Sequence, residues 1–167
     1  MTVPGETQRQ RAEANKSGLQ KANLLGHDLR GADLEEADLS QANLRKSKLD
    51  GANLKRARLS GAALSTADLS GADLTGADLT QAELIGTRLQ QARLCNATLH
   101  RATLSKADLT GADLTGADLS QVINLTCAQL ASARVDKTTR LPDYIRLDWL
   151  TDTEFKCRDN KRRLDEP

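Results

Sequence analysis

The sequence predicts an all-β solenoid, a parallel β-helix of about six coils with short helical caps, chiefly C-terminal. Three observations carry that prediction. Leucine stands at every fifth position from Leu24 to Leu119, twenty times without a break, and at 17 of those 20 positions the residue two places earlier is alanine. After Leu119 the frame slips by one, because Leu125, Leu130 and Val135 keep the spacing of five but Leu119 to Leu125 is six. All the aromatic residues, Tyr144, Trp149 and Phe155, lie beyond the repeats, where a stack of coils needs a lid.

The period of five excludes the simpler repeating structures. On an α-helix, leucines five apart would step by roughly 140° and scatter around the axis instead of forming a stripe. On a long strand, an odd repeat would throw successive leucines onto opposite faces. A short extended piece followed by a corner satisfies the pattern: Ala and Leu point inward, the Asp or Asn between them points outward, and two further residues turn the chain. Glycine is common at the second corner position, as in Gly26, Gly71 and Gly116, where a type II turn requires positive φ. Glu36, Lys46, Arg56 and Arg101 occupy that position elsewhere and are expected to use another turn type.

Taken in order, residues 1–16 form an N-terminal cap or tail, with a short helix expected within Gly5 to Asn15. Residues 17–141 form the coils. The extra residue after Leu119 implies a bulge in one side, and Leu141-Pro142 closes the array. Residues 142–157 are read as a helical cap: Asp143 starts a helix over Tyr144 to Leu150 that carries Ile145, Leu147 and Trp149, and Thr151 to Glu154 fits a capping box for a second helix bearing Phe155. Residues 158–167 are a frayed, charged tail.

With these units on the page, such as Ala32-Asp33-Leu34 and Ala112-Asp113-Leu114, the chain resembles the pentapeptide repeat family, in the all-Leu form abundant in cyanobacteria. The resemblance implies a right-handed quadrilateral β-helix, four units of five residues to each coil. The absence of a catalytic set, together with a surface that varies freely on a repetitive core, points to a non-enzymatic role: a protein–protein interaction or regulatory scaffold presenting polar faces to a protein partner. One branch of the family mimics DNA and protects DNA gyrase from quinolones. That alternative fits less well, because its members are markedly acidic and often carry Phe at the central position.

Charge supports the scaffold reading. The chain holds 24 basic and 23 acidic groups, a balance that argues against direct nucleic-acid binding. Grouped by 20 residues, the net charge alternates: −4 over 22–41, +5 over 42–61, −3 over 62–81, +2 over 82–101 and −2 over 102–121. In outward files such as Asp28, Lys48, Asp68, Arg88, Asp108, opposite charges then lie one strand spacing apart, which relieves repulsion and helps hold register. The same arithmetic defines a candidate interaction surface, the basic band Arg45, Lys46, Lys48, Lys55, Arg56 and Arg58 together with Arg88.

No catalytic, cofactor-binding or metal-binding set is expected. Cys95 and His100 make at most two of the ligands a metal site needs. The inward departures from alanine, His27, Ser47 and Thr87, fall on one side, where hydroxyls can bond neighbouring backbone. Three widely spaced cysteines, Cys95, Cys127 and Cys157, suit a reducing compartment better than a disulfide scaffold. Met1 to Lys21 lacks an apolar signal core and no run reaches membrane-spanning length, so a cytoplasmic protein without membrane association is expected, a monomer or a dimer through a capped end.

Overall fold

Each unit reaches its neighbour 20 residues on, and that single offset builds the body of the molecule. The computed structural model describes residues 7–159. Between Asn23 and Ile123 the outward residues pair in four ladders of parallel bridges. The first wall runs Asn23, Asn43, Ala63, Glu83, Thr103, Ile123, and the second Asp28, Lys48, Asp68, Arg88, Asp108. The third wall runs Asp33, Asn53, Asp73, Arg93, Asp113, and the fourth Asp38, Arg58, Asp78, Thr98, Asp118. Within a wall the main chain bonds upward and downward: Leu74 N–H donates to Arg93 O at 2.7 Å and Asp73 N–H to Ala52 O at 2.9 Å. Across each corner the next inward residue closes the turn, as when Ala77 N–H donates to Leu74 O at 3.0 Å.

The inward residues fill the interior completely. Every leucine of the frame from Leu29 to Leu119 is at most 1% exposed, and the alanines between them are buried too. At roughly 1.5–3 kcal/mol per buried leucine, this column dominates stability. Ser47 and Thr87 are buried with their hydroxyls donating to Leu44 O at 2.6 Å and Leu64 O at 2.9 Å, which is how an inward polar residue is tolerated.

The corners correct one expectation. Glu36, Lys46, Arg56 and Arg101 adopt φ of 59°, 57°, 53° and 57°, the same left-handed region as the glycines. The 20-residue ladder fixes the corner geometry, so non-glycine residues accept a strain of about 1–2 kcal/mol each instead of choosing another turn.

The N-terminal end is sealed by α1 (Gln8–Ala14), capped by Thr7 and Gln10 in a reciprocal capping box, with Ala12 2% exposed against the first leucines. Among the described residues the first circuit has no further circuit below it to accept its amides. Gln8 Oε1 accepts from Asp28 N–H and Glu13 Oε1 from Asp33 N–H, both at 2.8 Å, while Lys16 O accepts from Asp38 N–H. The cap replaces a missing strand with side-chain acceptors.

The C-terminal end departs further from expectation. The extra residue after Leu119 is Asn124, exposed at φ 60° so that Leu125 returns inward, and the chain then forms α2 (Cys127–Ser132), which takes the position of one wall while Leu125 and Leu130 stay fully buried. The reason is legible in Thr126 and Gln129, whose reciprocal capping box starts the helix. The walls then resume with larger offsets, Asp113 bridging Arg134 and Asp118 bridging Arg140.

The helices expected over Tyr144 to Leu150 and around Phe155 are instead an antiparallel hairpin, β1 (Ile145–Trp149) and β2 (Phe155–Asp159). Period two wins over period 3.6: Ile145, Leu147 and Trp149 alternate with Arg146 and Asp148, opposite Phe155 and Cys157. Trp149 and Phe155 meet edge to face at 5.4 Å, and Leu150 stays exposed at the turn. Thr151 caps that turn, accepting from Glu154 N–H, so its sequence signature marks a turn instead of a helix start. Tyr144 docks the hairpin, its hydroxyl donating to Val122 O at 2.9 Å and accepting from Leu125 N–H at 3.0 Å. Arg158 and Asp159 belong to β2, and the rest of the tail expected to fray lies outside the described residues. Cys127 and Cys157 form a disulfide between α2 and β2, which corrects the expectation of unpaired thiols; Cys95 is free.

Candidate interaction surface

The outward residues are positioned by the ladders, so the charge pattern of the sequence becomes a set of contacts. Arg58 reaches Asp38 on the fourth wall at 2.7 Å, and Arg88 reaches Asp68 on the second at 2.8 Å. Lys55 lies 3.5 Å from Asp73, and Arg56 binds both Glu35 and Glu36. Arg45 crosses two circuits along the first wall to Glu83 at 2.7 Å. Five of the seven candidate residues are therefore engaged within the chain, while Lys46 and Lys48 have no ion pair among the described residues.

The seven do not share one face. Arg45 and Lys46 sit at the corner between the first and second walls, Lys48 and Arg88 on the second wall, and Lys55, Arg56 and Arg58 at and beyond the corner between the third and fourth. A band around the circuit divides into two opposite groups.

The acidic partners respond to this environment. Burial raises Asp68, but the bonds from Ser70 and Arg88 outweigh it and the carboxyl lies below its ordinary range; Asp73 behaves alike through Thr75, Arg93 and Lys55. Asp28 is pulled down to about 2, chiefly by its bond with Arg30. These carboxylates stay ionised through the physiological range, so the alternating pattern is not a pH switch near neutrality.

Cys95 accepts from the Thr115 hydroxyl at 3.4 Å and His100 meets Ser120 at 3.0 Å, each within its own corner file. Among the described residues no group of three or more His, Cys, Asp or Glu is arranged to hold a metal ion. No helix among them is long and apolar enough to cross a membrane. Two features escaped the sequence reading. Asp136 accepts from Gly116, Thr138 and Thr139 and ties the last circuit to the one below. A groove also opens where α2 stands in for the second wall, lined by Lys106 to Leu109 and by Thr126, Ala128, Gln129 and Ser132. The Thr126 and Gln129 capping box is the signal that could have revealed it.

Comparison with known proteins agrees with this geometry. The family model of pentapeptide repeats matches in eight copies over residues 19–51, 47–84 and 82–121. HetL, a pentapeptide repeat protein involved in heterocyst differentiation regulation from the cyanobacterium Nostoc sp. strain PCC 7120, is 41% identical over 73% of this chain, with a TM-score of 0.43. The chain spans 59% of HetL's length. The pentapeptide repeat protein alr5209, also from Nostoc, is 34% identical over 66% of this chain and 74% of its own, with a TM-score of 0.51. QnrB1, a plasmid-mediated fluoroquinolone resistance protein, shares the fold at a TM-score of 0.62 but only 19% identity, over 73% of this chain and 61% of its own. No curated protein sequence matches the chain. Twenty consecutive leucines on a five-residue frame, four ladders offset by 20, and the family match over the same residues lead to one conclusion: this chain belongs to the pentapeptide repeat family, and its coils are those of the right-handed quadrilateral β-helix.

Proposed function

We propose that the protein is a non-enzymatic interaction scaffold of about six coils, binding a protein partner in a regulatory role through the outward residues of its walls. One observation carries the reading. The interior is spent on near-identical leucine and alanine layers, so the residue variety of the body lies on the outside. The relation to HetL supports a regulatory setting, and family members are generally non-catalytic scaffolds. Within the basic band, Lys46 and Lys48 are the groups best placed to meet an acidic partner surface, because the other five are already neutralised in place. The test is capture of partners from a native lysate with the parent and with a Lys46→Glu, Lys48→Glu double variant. A partner held by the parent and lost by the variant supports the assignment; identical capture by both moves the contact to another wall.

The DNA-mimic alternative draws on a likeness to QnrB1 that shows the fold alone. Positive circuits interrupt the acidic ones, unlike a uniform polyanion. A gyrase supercoiling assay with a quinolone decides it: no protection is expected, and protection at stoichiometric protein would favour mimicry.

The proposed location is the cytoplasm, without membrane association, and the Cys127–Cys157 bond is the observation that runs against it. Alkylation of rapidly quenched cells, read by mass spectrometry, tests the location: thiols found reduced there support the cytoplasm. A disulfide in that measurement would place the protein in an oxidising compartment.

A further inference from the structure

The outward side of the C-terminal hairpin breaks a charge rule that the walls keep. Each outward arginine of the walls stands over a carboxylate of its own: Arg58 over Asp38, Arg88 over Asp68, Arg93 over Asp73, Arg134 over Asp113 and Arg140 over Asp118. In the hairpin the register sets Arg146 directly opposite Arg158, and Asp148 opposite Lys156. Residues two apart share a face of a strand, so these four side chains lie together on one side of the sheet, while Ile145, Leu147, Trp149, Phe155 and Cys157 turn to the core. Like charges directly opposed destabilise a strand pair. The one carboxylate among the four serves both arginines: Arg158 Nε lies 2.6 Å from Asp148 Oδ2 and Arg146 Nε 3.5 Å from Oδ1. Lys156, across from the same carboxylate, makes no ion pair among the described residues. Three cations share one anion.

The arginine side chains are 79% and 72% exposed. Asp148 meets each guanidinium at Nε, and among the described residues neither has another acceptor. A guanidinium carries five donors in a planar fork that matches a carboxylate, so most of that capacity is unused. The platform beneath is fixed. The Tyr144 hydroxyl bonds Val122 O and Leu125 N–H, and Cys157 of β2 is joined to Cys127 of α2, so little ordering is needed when a ligand arrives.

We propose that this outward face binds an acidic polypeptide segment of a partner, with one carboxylate taken by Arg146 and Arg158 together and a second, two residues along, taken by Lys156. The two rows of the face are two residues apart along the strands, about 6.5–7 Å, which is the same-side spacing of an extended segment carrying Glu-X-Glu. A nucleic acid fits less well. The face is only two rows long, and Glu154 beside the turn, with no ion pair among the described residues, repels a continuous row of phosphates. A second copy fits less well too, because the acidic first circuit is already engaged: Asp28 with Arg30, Asp33 with Lys16, Asp38 with Arg58, and Glu35 and Glu36 with Arg56. This rests on the scaffold reading above and adds to it a surface distinct from Lys46 and Lys48.

The probe is the fluorophore-labelled peptide Gly-Ser-Glu-Val-Glu-Ser-Gly, added to the full chain under non-reducing conditions and read by anisotropy and by amide chemical shifts. Binding below about 1 mM is expected, with the largest shifts within Ile145–Trp149 and Phe155–Asp159. Affinity should fall by about fivefold or more for the peptide with Gln in place of both Glu, and equally for an Arg146→Gln, Arg158→Gln double variant. Both arginines are exposed, so that variant should keep the parent spectrum outside the hairpin. A Lys21→Gln, Arg101→Gln variant removes the same charge from a corner file where Gln41, Gln81 and Gln121 already stand, and should leave binding unchanged. Shifts confined to other residues, equal binding of the Glu and Gln peptides, or equal loss in the two double variants overturns the proposal. Tighter binding of a single-stranded oligothymidylate to the same residues identifies a nucleic-acid surface and also overturns it, as do shifts there that grow with protein concentration alone and so identify a second copy. Any of these failures leaves the scaffold reading standing, because lysate capture through Lys46 and Lys48 tests a different surface.

Discussion

A corner residue and a core residue carry different kinds of energy here, and each was readable to a different depth. Leu74 lies in the leucine column with no exposure, so Leu74→Ala is expected to cost about 2–5 kcal/mol in chemical denaturation, with no wall able to collapse onto the gap. Its burial was legible from period five alone. The corner at Lys46 was not, because side-chain type suggested another turn while the ladder imposes φ of 57°. Lys46→Gly is therefore expected to stabilise the protein by about 1 kcal/mol, and Gly71→Ala, where a Cβ meets nothing within 4 Å but φ is +64°, to destabilise it by a similar amount. Equal stability of parent and Lys46→Gly would remove the strain argument. Asp136 gives the clearest pH signature. Burial works to raise its pKa, but bonds from the Thr138 hydroxyl, Gly116 N–H and Thr139 outweigh it and hold the carboxyl at about 2. A depressed folded-state value means the contribution is full above about pH 4 and is lost as pH falls toward 2. Asp136→Asn should flatten the acid limb of stability against pH, whereas an unchanged limb would assign that loss to other carboxylates.

At the scale of elements, the regular walls were legible and the ends only partly so. The repeat fixes each wall through twenty copies of one signal, so a single ambiguous unit is outvoted. The ends have one copy each. α1 lies within the Gly5 to Asn15 stretch where the sequence predicts a short helix, while the aromatic tail follows period two and not the helical period its residues suggest. Ile145 and Trp149 share a face in a helix and in a strand alike, and only the alternation through Leu147 and across to Phe155 and Cys157 separates the two. The disulfide was beyond reach because Cys127 and Cys157 are 30 residues apart and meet only once the hairpin folds back. A crosslink closing a loop of this length contributes about 3.6 kcal/mol, so Cys157→Ser should lower the denaturation midpoint, and the same shift should follow reduction of the parent. Parent and variant that unfold together under oxidising conditions would show that the hairpin is held by packing alone. Deleting residues 143–167 removes Tyr144 and the hairpin from the last circuit and is expected to cause association, visible in sedimentation. A truncated chain as monomeric as its parent would assign the hairpin to a partner.

For the molecule as a whole, everything depends on one offset. If residues 20 apart are neighbours on every wall, then the leucines form a column and opposite charges stack along the outside. The sequence made the column legible because a period of five admits few alternatives; it left the groove hidden because its origin is a helix substituting for a wall. The most direct measurement is the set of backbone nuclear Overhauser contacts in isotopically labelled protein. Contacts are expected between Asp33 and Asn53, Asn53 and Asp73, Asp73 and Arg93, and their counterparts on the other three walls, every one at an offset of 20 up to Asp118. Contacts at any other constant offset, or sequential helical contacts through residues 22–121, would contradict the architecture and everything built on it.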